Sequence, residues 1–179
     1  RALHIDGPED LWGGYVDHDF IATKAISHGL LSPQATAPEG WSPLFCERVR
    51  KVVLDGLSVF ALEDARPAAI RLLDSGPVRL KPVHACAGRG QQVIHNRDEL
   101  DAVLAHSAGA TLFKEGVVFE QDLQEVITHS VGQSFIGDHV ISYCGEQYLT
   151  QDGQGEDVYG GSNLLVVPGY YEDLLTLDL

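Results

Sequence analysis

The stretch Val78 to Ile94, VRLKPVHACAGRGQQVI, decides how the rest of the chain is read. Val78 to Pro82 has the character of a strand, with Lys81 at its end and Pro82 stopping continuation. After a short connection the chain reads Gly88-Arg89-Gly90. Glycines let backbone N–H groups approach an anion without side-chain clash, and they allow the positive φ angles of an anion nest. Lys81 supplies a compact cation, and Arg89 can add a forked contact to phosphate oxygens. Spacing excludes two common phosphate motifs. A Walker loop carries its lysine after the glycines, and a dinucleotide fingerprint needs a third glycine where Val93 stands. By itself a GxG after a strand fits either an anion site or a plain hairpin turn, and both readings are open here.

Outward from this stretch, helices and strands mix. Upstream, Ser42 and Pro43 predict a helix start, with Phe45, Val49, Val52 and Val53 on one face and Gly56 as its end. Ser58 to Ala61 reads as a short strand. Asp64 to Asp74 reads as a helix, with Pro67 in its first turn and Gly76 closing it. Downstream, a strand over Gln91 to Ile94 is followed by Asn96 and Glu99, a capping-box pair opening a helix to about Ala105. Val117 to Glu120 is an apolar strand ending in an acid. Ser130 to Ile136 and His139 to Tyr143 alternate around Gly137-Asp138, a hairpin signal. Gln147 to Thr150 adds a strand, Gln151 to Gly161 is turn-rich, and Leu164 to Val167 is the last strand. Residues 1–41 show only a short helix near Ile21 to Ser27 and a scatter of aromatics; they read as an irregular segment or the end of a preceding domain. The fold class is therefore α+β (mixed α/β), not a doubly wound parallel sheet.

Composition bounds the function. The chain has 179 residues, 44% apolar, with a formal net charge of −14. That balance excludes general nucleic-acid binding, which needs an excess of cations, but leaves room for a nucleotide in a local site. Three cysteines, Cys46, Cys86 and Cys144, without CxxC spacing argue against a disulfide framework and a structural zinc. No apolar run approaches the ~18 residues of a membrane span, and no signal peptide opens the chain. The default expectation is a reducing cytoplasm. A start at Arg1 and the absence of methionine imply that the natural protein is longer.

The order of parts resembles the ATP-grasp superfamily, in which two α+β subdomains clamp ATP between antiparallel sheets. The resemblance rests on LEDARPAAIRLLDSGPVRLKP, on Ala87 to Gly90 with the strand and helix that follow, and on Val117 to Leu123. With SVGQ at Ser130 and VYGGS ending at Ser162, the run resembles a bacterial ATP-grasp family of unknown function, over roughly residues 42–170. The resemblance implies a nucleotide-binding region over 42–179, incomplete at its C-terminal end. It also implies ATP and Mg2+ as cofactors, and ligation of a carboxylate to an amine or thiol through an acyl phosphate.

Residue by residue, Lys81 is implied to contact phosphates, Gly88 and Gly90 to form the loop with Arg89 assisting, and Glu120 and Asp122 to receive the adenine amino group or a ribose hydroxyl. Arg48, or Lys51, stands where the superfamily carries an earlier cation. The magnesium ligands are not identified; Glu156, Asp157 and Asn163 qualify by composition only. A non-catalytic nucleotide-binding or regulatory module is the alternative, and a fold-only interaction protein a third.

Other groups are read conservatively. The eight histidines lack HxxxH or HExxH spacing and read as isolated, with His84 noteworthy for its place beside the loop. Cys86, two residues on, reads as a small buried residue packed behind the loop. Gly160-Gly161-Ser162 fits a small-molecule loop or an ordinary turn.

Overall fold

A computed structural model of the chain describes residues 6–7, 11, 14–86, 89–107, 111–155 and 157–177. The chain divides into two compact units, Arg1–Ala85 with Gly90–Asp122, and Cys86–Arg89 with Leu123–Leu179. The expected α+β class is observed: every pair of neighbouring strands in the sheets is antiparallel.

The first unit is built on a four-stranded sheet in the order β1-β4-β2-β3. Its strands are β1 (Gly56–Val59), β2 (Val78–Pro82), β3 (Gln92–Ile94) and β4 (Val117–Gln121). Alternation sends Leu57, Val59, Val78, Leu80, Val117, Phe119 and Ile94 to one face, where they are buried against two helices. These are α2 (Leu62–Leu73) and α3 (Arg97–Ser107). Ala65, Ala68 and Ala69 bring α2 close to the sheet, and Leu100 and Leu104 anchor α3. A fully buried Leu or Phe side chain of this kind contributes roughly 1.5–3 kcal/mol.

Helix α2 starts at Leu62, so Pro67 falls beyond the first turn rather than within it. The missing hydrogen bond would have gone to the carbonyl of Glu63, and both residues are exposed, so water can take that carbonyl. The capping signal at α3 forms: the Glu99 N–H donates to Asn96 Oδ1 at 3.0 Å, and the Glu99 carboxylate accepts from the His95 N–H at 2.8 Å. A short helix α4 (Leu112–Glu115) precedes β4.

Two upstream expectations are corrected. The helix near Ile21 to Ser27 is a pair of 3-10 turns, Asp19–Ala22 and Lys24–Ser27, separated by extended Thr23. Thr23 Oγ1 donates to the Phe20 carbonyl at 2.7 Å and accepts from the Ala25 N–H at 3.2 Å, which interrupts the helical path. The helix after Ser42 is only α1 (Leu44–Val49); Cys46 is its buried residue, while Phe45 and Val52 are exposed. Gly56 does not end that helix but opens β1. Phe20, Trp41 and Phe60 pack ring to ring at 5.4–6.3 Å between centroids, joined by Ala25, Val83 and Val118.

The second unit is a three-stranded meander, β5-β6-β7. Strand β5 (His129–Ile136) turns through Gly137, at φ +57, into β6 (His139–Gln151), which pairs with β7 (Asp157–Pro168). The two separate strands expected over 139–150 are one, because Cys144 to Glu146 pair on both sides, with Val131 to His129 and with Leu165 to Asn163. Gly160-Gly161 is neither a ligand loop nor an end turn; it lies inside β7 at a register shift opposite Tyr148 and Leu149, a β-bulge with Gly161 at φ +148. Helix α5 (Tyr171–Leu175) follows, buried through Leu174. Among the described residues no helix is long and apolar enough to cross a membrane.

Candidate functional site

The face of the first unit's sheet turned away from α2 and α3 is mixed: Val118 is buried in the cluster with Phe20 and Phe60, and charged side chains stand beside it. Alternation places Arg79 and Lys81 of β2 on this face, with Val118 and Glu120 of β4 beside them. The backbone register pairs Lys81 with Val118 and Arg79 with Glu120, so oppositely charged partners meet on the diagonal. The Lys81 ammonium is ion-paired with Glu120 Oε1. Arg79 reaches Asp122 Oδ1 through Nε at 2.7 Å and Nη2 at 2.6 Å, and donates to Gln91 Oε1 at 3.3 Å.

Glu120 has a second partner. His28 Nε2 lies 3.4 Å from Glu120 Oε2, and the imidazole is 6% exposed. Gly56, opposite Glu120 on β1, makes that approach feasible: a Cβ there would sit 2.6 Å from His28 Nδ1 and 2.9 Å from the Phe119 carbonyl oxygen. Burial pushes the Glu120 carboxyl up, but hydrogen bonds to His28 and Lys81, with the charge of both, outweigh it and hold the group below the usual glutamate range. Glu120 is therefore an anion at neutral pH, flanked by one cation and one imidazole. Such a face presents an ammonium and a carboxylate side by side, each able to meet an oppositely charged or hydrogen-bonding group.

The expected site residues are distributed as follows. Lys81 and Glu120 are together. Asp122 is one strand step further, its side chain fully buried and paired with Arg79. Gly90 takes φ +67 in the turn before β3, and a Cβ there would touch Pro82 Cγ at 3.5 Å. Gly88 and Ala87 lie outside the described residues, as does Glu156. Arg89 falls in the second unit, where its N–H donates to the Cys86 carbonyl at 3.1 Å. Arg48 and Lys51 are exposed, and among the described residues neither is bonded to Lys81 or Glu120. Cys86 is exposed rather than buried. The buried thiol is Cys46, which burial, then the charge of Glu47, pushes up from the ordinary value.

Arg79 and His28 are not read from the sequence as site residues, and Gly56 is read there only as a helix end. Arg79 had a signal: Arg79/Lys81 and Glu120/Asp122 are both spaced by two, the pattern of two diagonal cross-strand pairs. His28 had none, because nothing in its neighbours marks a contact with a strand so far along the chain. A depression of about 440 Å³ on the same unit is lined by Asp17, His18, Glu39, His84, Lys114 and Glu115 among others, and does not include Lys81 or Glu120.

The chain is similar to part of D-alanyl-alanine synthetase A from Vibrio cholerae, with 16% identity and a TM-score of 0.44 over 67% of this chain and 37% of that one. It is also similar to part of a RimK domain protein, ATP-grasp, from Sphaerobacter thermophilus, with 16% identity and a TM-score of 0.37 over 62% and 51% of the respective chains. This chain thus spans about half or less of either structure. Curated proteins gave no match. Residues 1–179 match the family described as a protein of unknown function (DUF3182), and the chain belongs to that family.

Proposed function

We propose that this chain is the ATP-binding portion of an ATP-grasp enzyme that joins a carboxylate to an amine or thiol. The observation that carries this reading is the meeting of Lys81 and Glu120 on one sheet face, at the end of the strand that leads into the glycine turn. Lys81 binds phosphate oxygens, Gly90 and its neighbours give the backbone its close approach, and Glu120 receives a ribose hydroxyl or the adenine amino group. Asp122 holds Arg79 in place beside them. ATP supplies the phosphoryl group that activates a carboxylate. The reading extends over residues 42–179, following the order of parts by which the chain resembles the superfamily.

Thermal unfolding with and without Mg-ATP, on wild type and Lys81→Ala, tests the reading. Wild type should shift upward and Lys81→Ala should not. An unshifted wild type overturns it.

Magnesium is a different matter. Among the described residues no group of three or more His, Cys, Asp and Glu side chains is arranged to hold a metal ion, so none of them is assigned to it. The second reading is a non-catalytic nucleotide-binding or regulatory module. It predicts nucleotide binding without ADP release for any pair of carboxylate and amine or thiol, whereas the ligase reading predicts release that depends on both substrates.

A further inference from the structure

The segment Thr23 to His28 makes two contacts, one with the end of β2 and the turn after it and one with Glu120. At one, the Lys24 ammonium donates to three carbonyl oxygens, those of Pro82 at 2.8 Å, Val83 at 3.2 Å and Ala85 at 2.7 Å. A lysine has three N–H donors, and the three carbonyls cap the stem by which β2 enters the glycine loop. At the other, His28 reaches Glu120. Ser58 fastens this stretch to β1: its Oγ donates to the Ala25 carbonyl at 2.6 Å, and its N–H to the carbonyl of Gly29, just past His28, at 2.9 Å.

The carbonyl contacts have a consequence for the amides. In a trans peptide the N–H points opposite to the C=O, so carbonyls turned toward Lys24 turn the N–H groups of Val83, His84 and Cys86 away from it. Val83 spends its N–H on the Gly116 carbonyl at 3.2 Å. A cation that gathers carbonyls on one side of a loop thereby fixes which way the amides of the same peptides point.

We propose that Lys24 and His28 are positioning residues of the nucleotide site, Lys24 setting the backbone of the phosphate-loop stem and His28 setting the Glu120 carboxylate. This rests on the nucleotide reading above. Neither residue contacts the ligand. Lys24 acts through peptide groups and so governs the polyphosphate end; His28 acts through Glu120 and so governs the nucleoside end.

Titrations of the whole chain with ATP, inorganic tripolyphosphate and adenosine separate the two ends. Lys24→Met should weaken ATP and tripolyphosphate about tenfold or more and leave adenosine unchanged. His28→Ala should weaken ATP and adenosine by a similar factor and leave tripolyphosphate unchanged, with His28→Gln restoring part of the loss. Equal losses for all three ligands, or wild-type affinities in folded Lys24→Met, overturn the positioning roles. If Lys24→Met does not fold, Lys24→Arg carries the test. A planar guanidinium does not cap three converging carbonyls as an ammonium does, so the ratio of tripolyphosphate to adenosine affinity should still fall. An unchanged ratio overturns the role of Lys24. Wild type that binds neither ATP nor tripolyphosphate overturns the nucleotide reading itself, and this inference with it.

Discussion

Lys81 and Glu120 meet diagonally across the β2–β4 ladder, on the sheet face that the two packed helices do not cover. Their side chains are 23% and 12% exposed, so the pair is screened less than a surface ion pair. A double-mutant cycle of Lys81→Met and Glu120→Gln, followed by urea unfolding, should give a coupling of about 0.5–3 kcal/mol, the range for residues sharing one polar network. Each single variant should cost more than the pair's net worth, because it leaves the other partner covered and unmatched. A coupling near zero would show that the contact is incidental.

The same carboxylate makes stability depend on acidity. Glu120 is held below the usual range, where burial pulls it up and His28 and Lys81 pull it down further. Between its native value and the ordinary glutamate value of about 4.3, the unfolded chain binds more protons than the native one, so stability rises with pH there. The contribution is complete above that ordinary value and is lost as pH falls through the native value. The gap in unfolding midpoint between wild type and Glu120→Gln should therefore narrow as pH drops from about 5 toward 3. Glu99 and Asp101 are lowered too, by hydrogen bonds to His95 and Arg66, but both remain in the variant and cancel in the difference.

Gly56 is where the site depends on the absence of a side chain. Alanine there would press on His28 Nδ1 at 2.6 Å and on the Phe119 backbone oxygen at 2.9 Å. The imidazole can swing away, but the carbonyl belongs to the paired strand β4 and cannot. Gly56→Ala should cost about 1–3 kcal/mol, as overpacking does, and should release Glu120 from His28. Chemical denaturation measures the first effect. The second appears as a smaller pH dependence from Glu120.

How far the sequence carried these conclusions differs from element to element. Strand β2 was legible to the residue, because Val78 and Leu80 alternate with charged residues and Pro82 stops the run. Helix α3 was legible through the Asn96–Glu99 pair, a purely local device. What failed had two kinds of cause, one local and one distant. Thr23 breaks a helix by bonding to its own neighbours, and Gly56 serves a strand because β4 lies beside it. In the same way Lys81 and Glu120 were each legible as chemistry. Their contact, and the addition of His28, needed the register of three strands.

Gly145 offers a test confined to the second unit. It sits mid-strand in β6, paired with Ser130 on one side and Leu164 on the other. A Cβ there would fall 1.8 Å from the Asn163 carbonyl oxygen, so no side-chain rotation relieves the contact and the β6–β7 ladder must part. The cost of Gly145→Ala should be at the upper end of overpacking, about 3 kcal/mol. Amide exchange should quicken in β5, β6 and β7, while the amides of Leu80 and Phe119, fixed in the other unit's sheet, should keep their protection. If the first unit's amides exchange faster to the same degree, the two units unfold as one, and the division of the chain at Asp122 is not a division in stability.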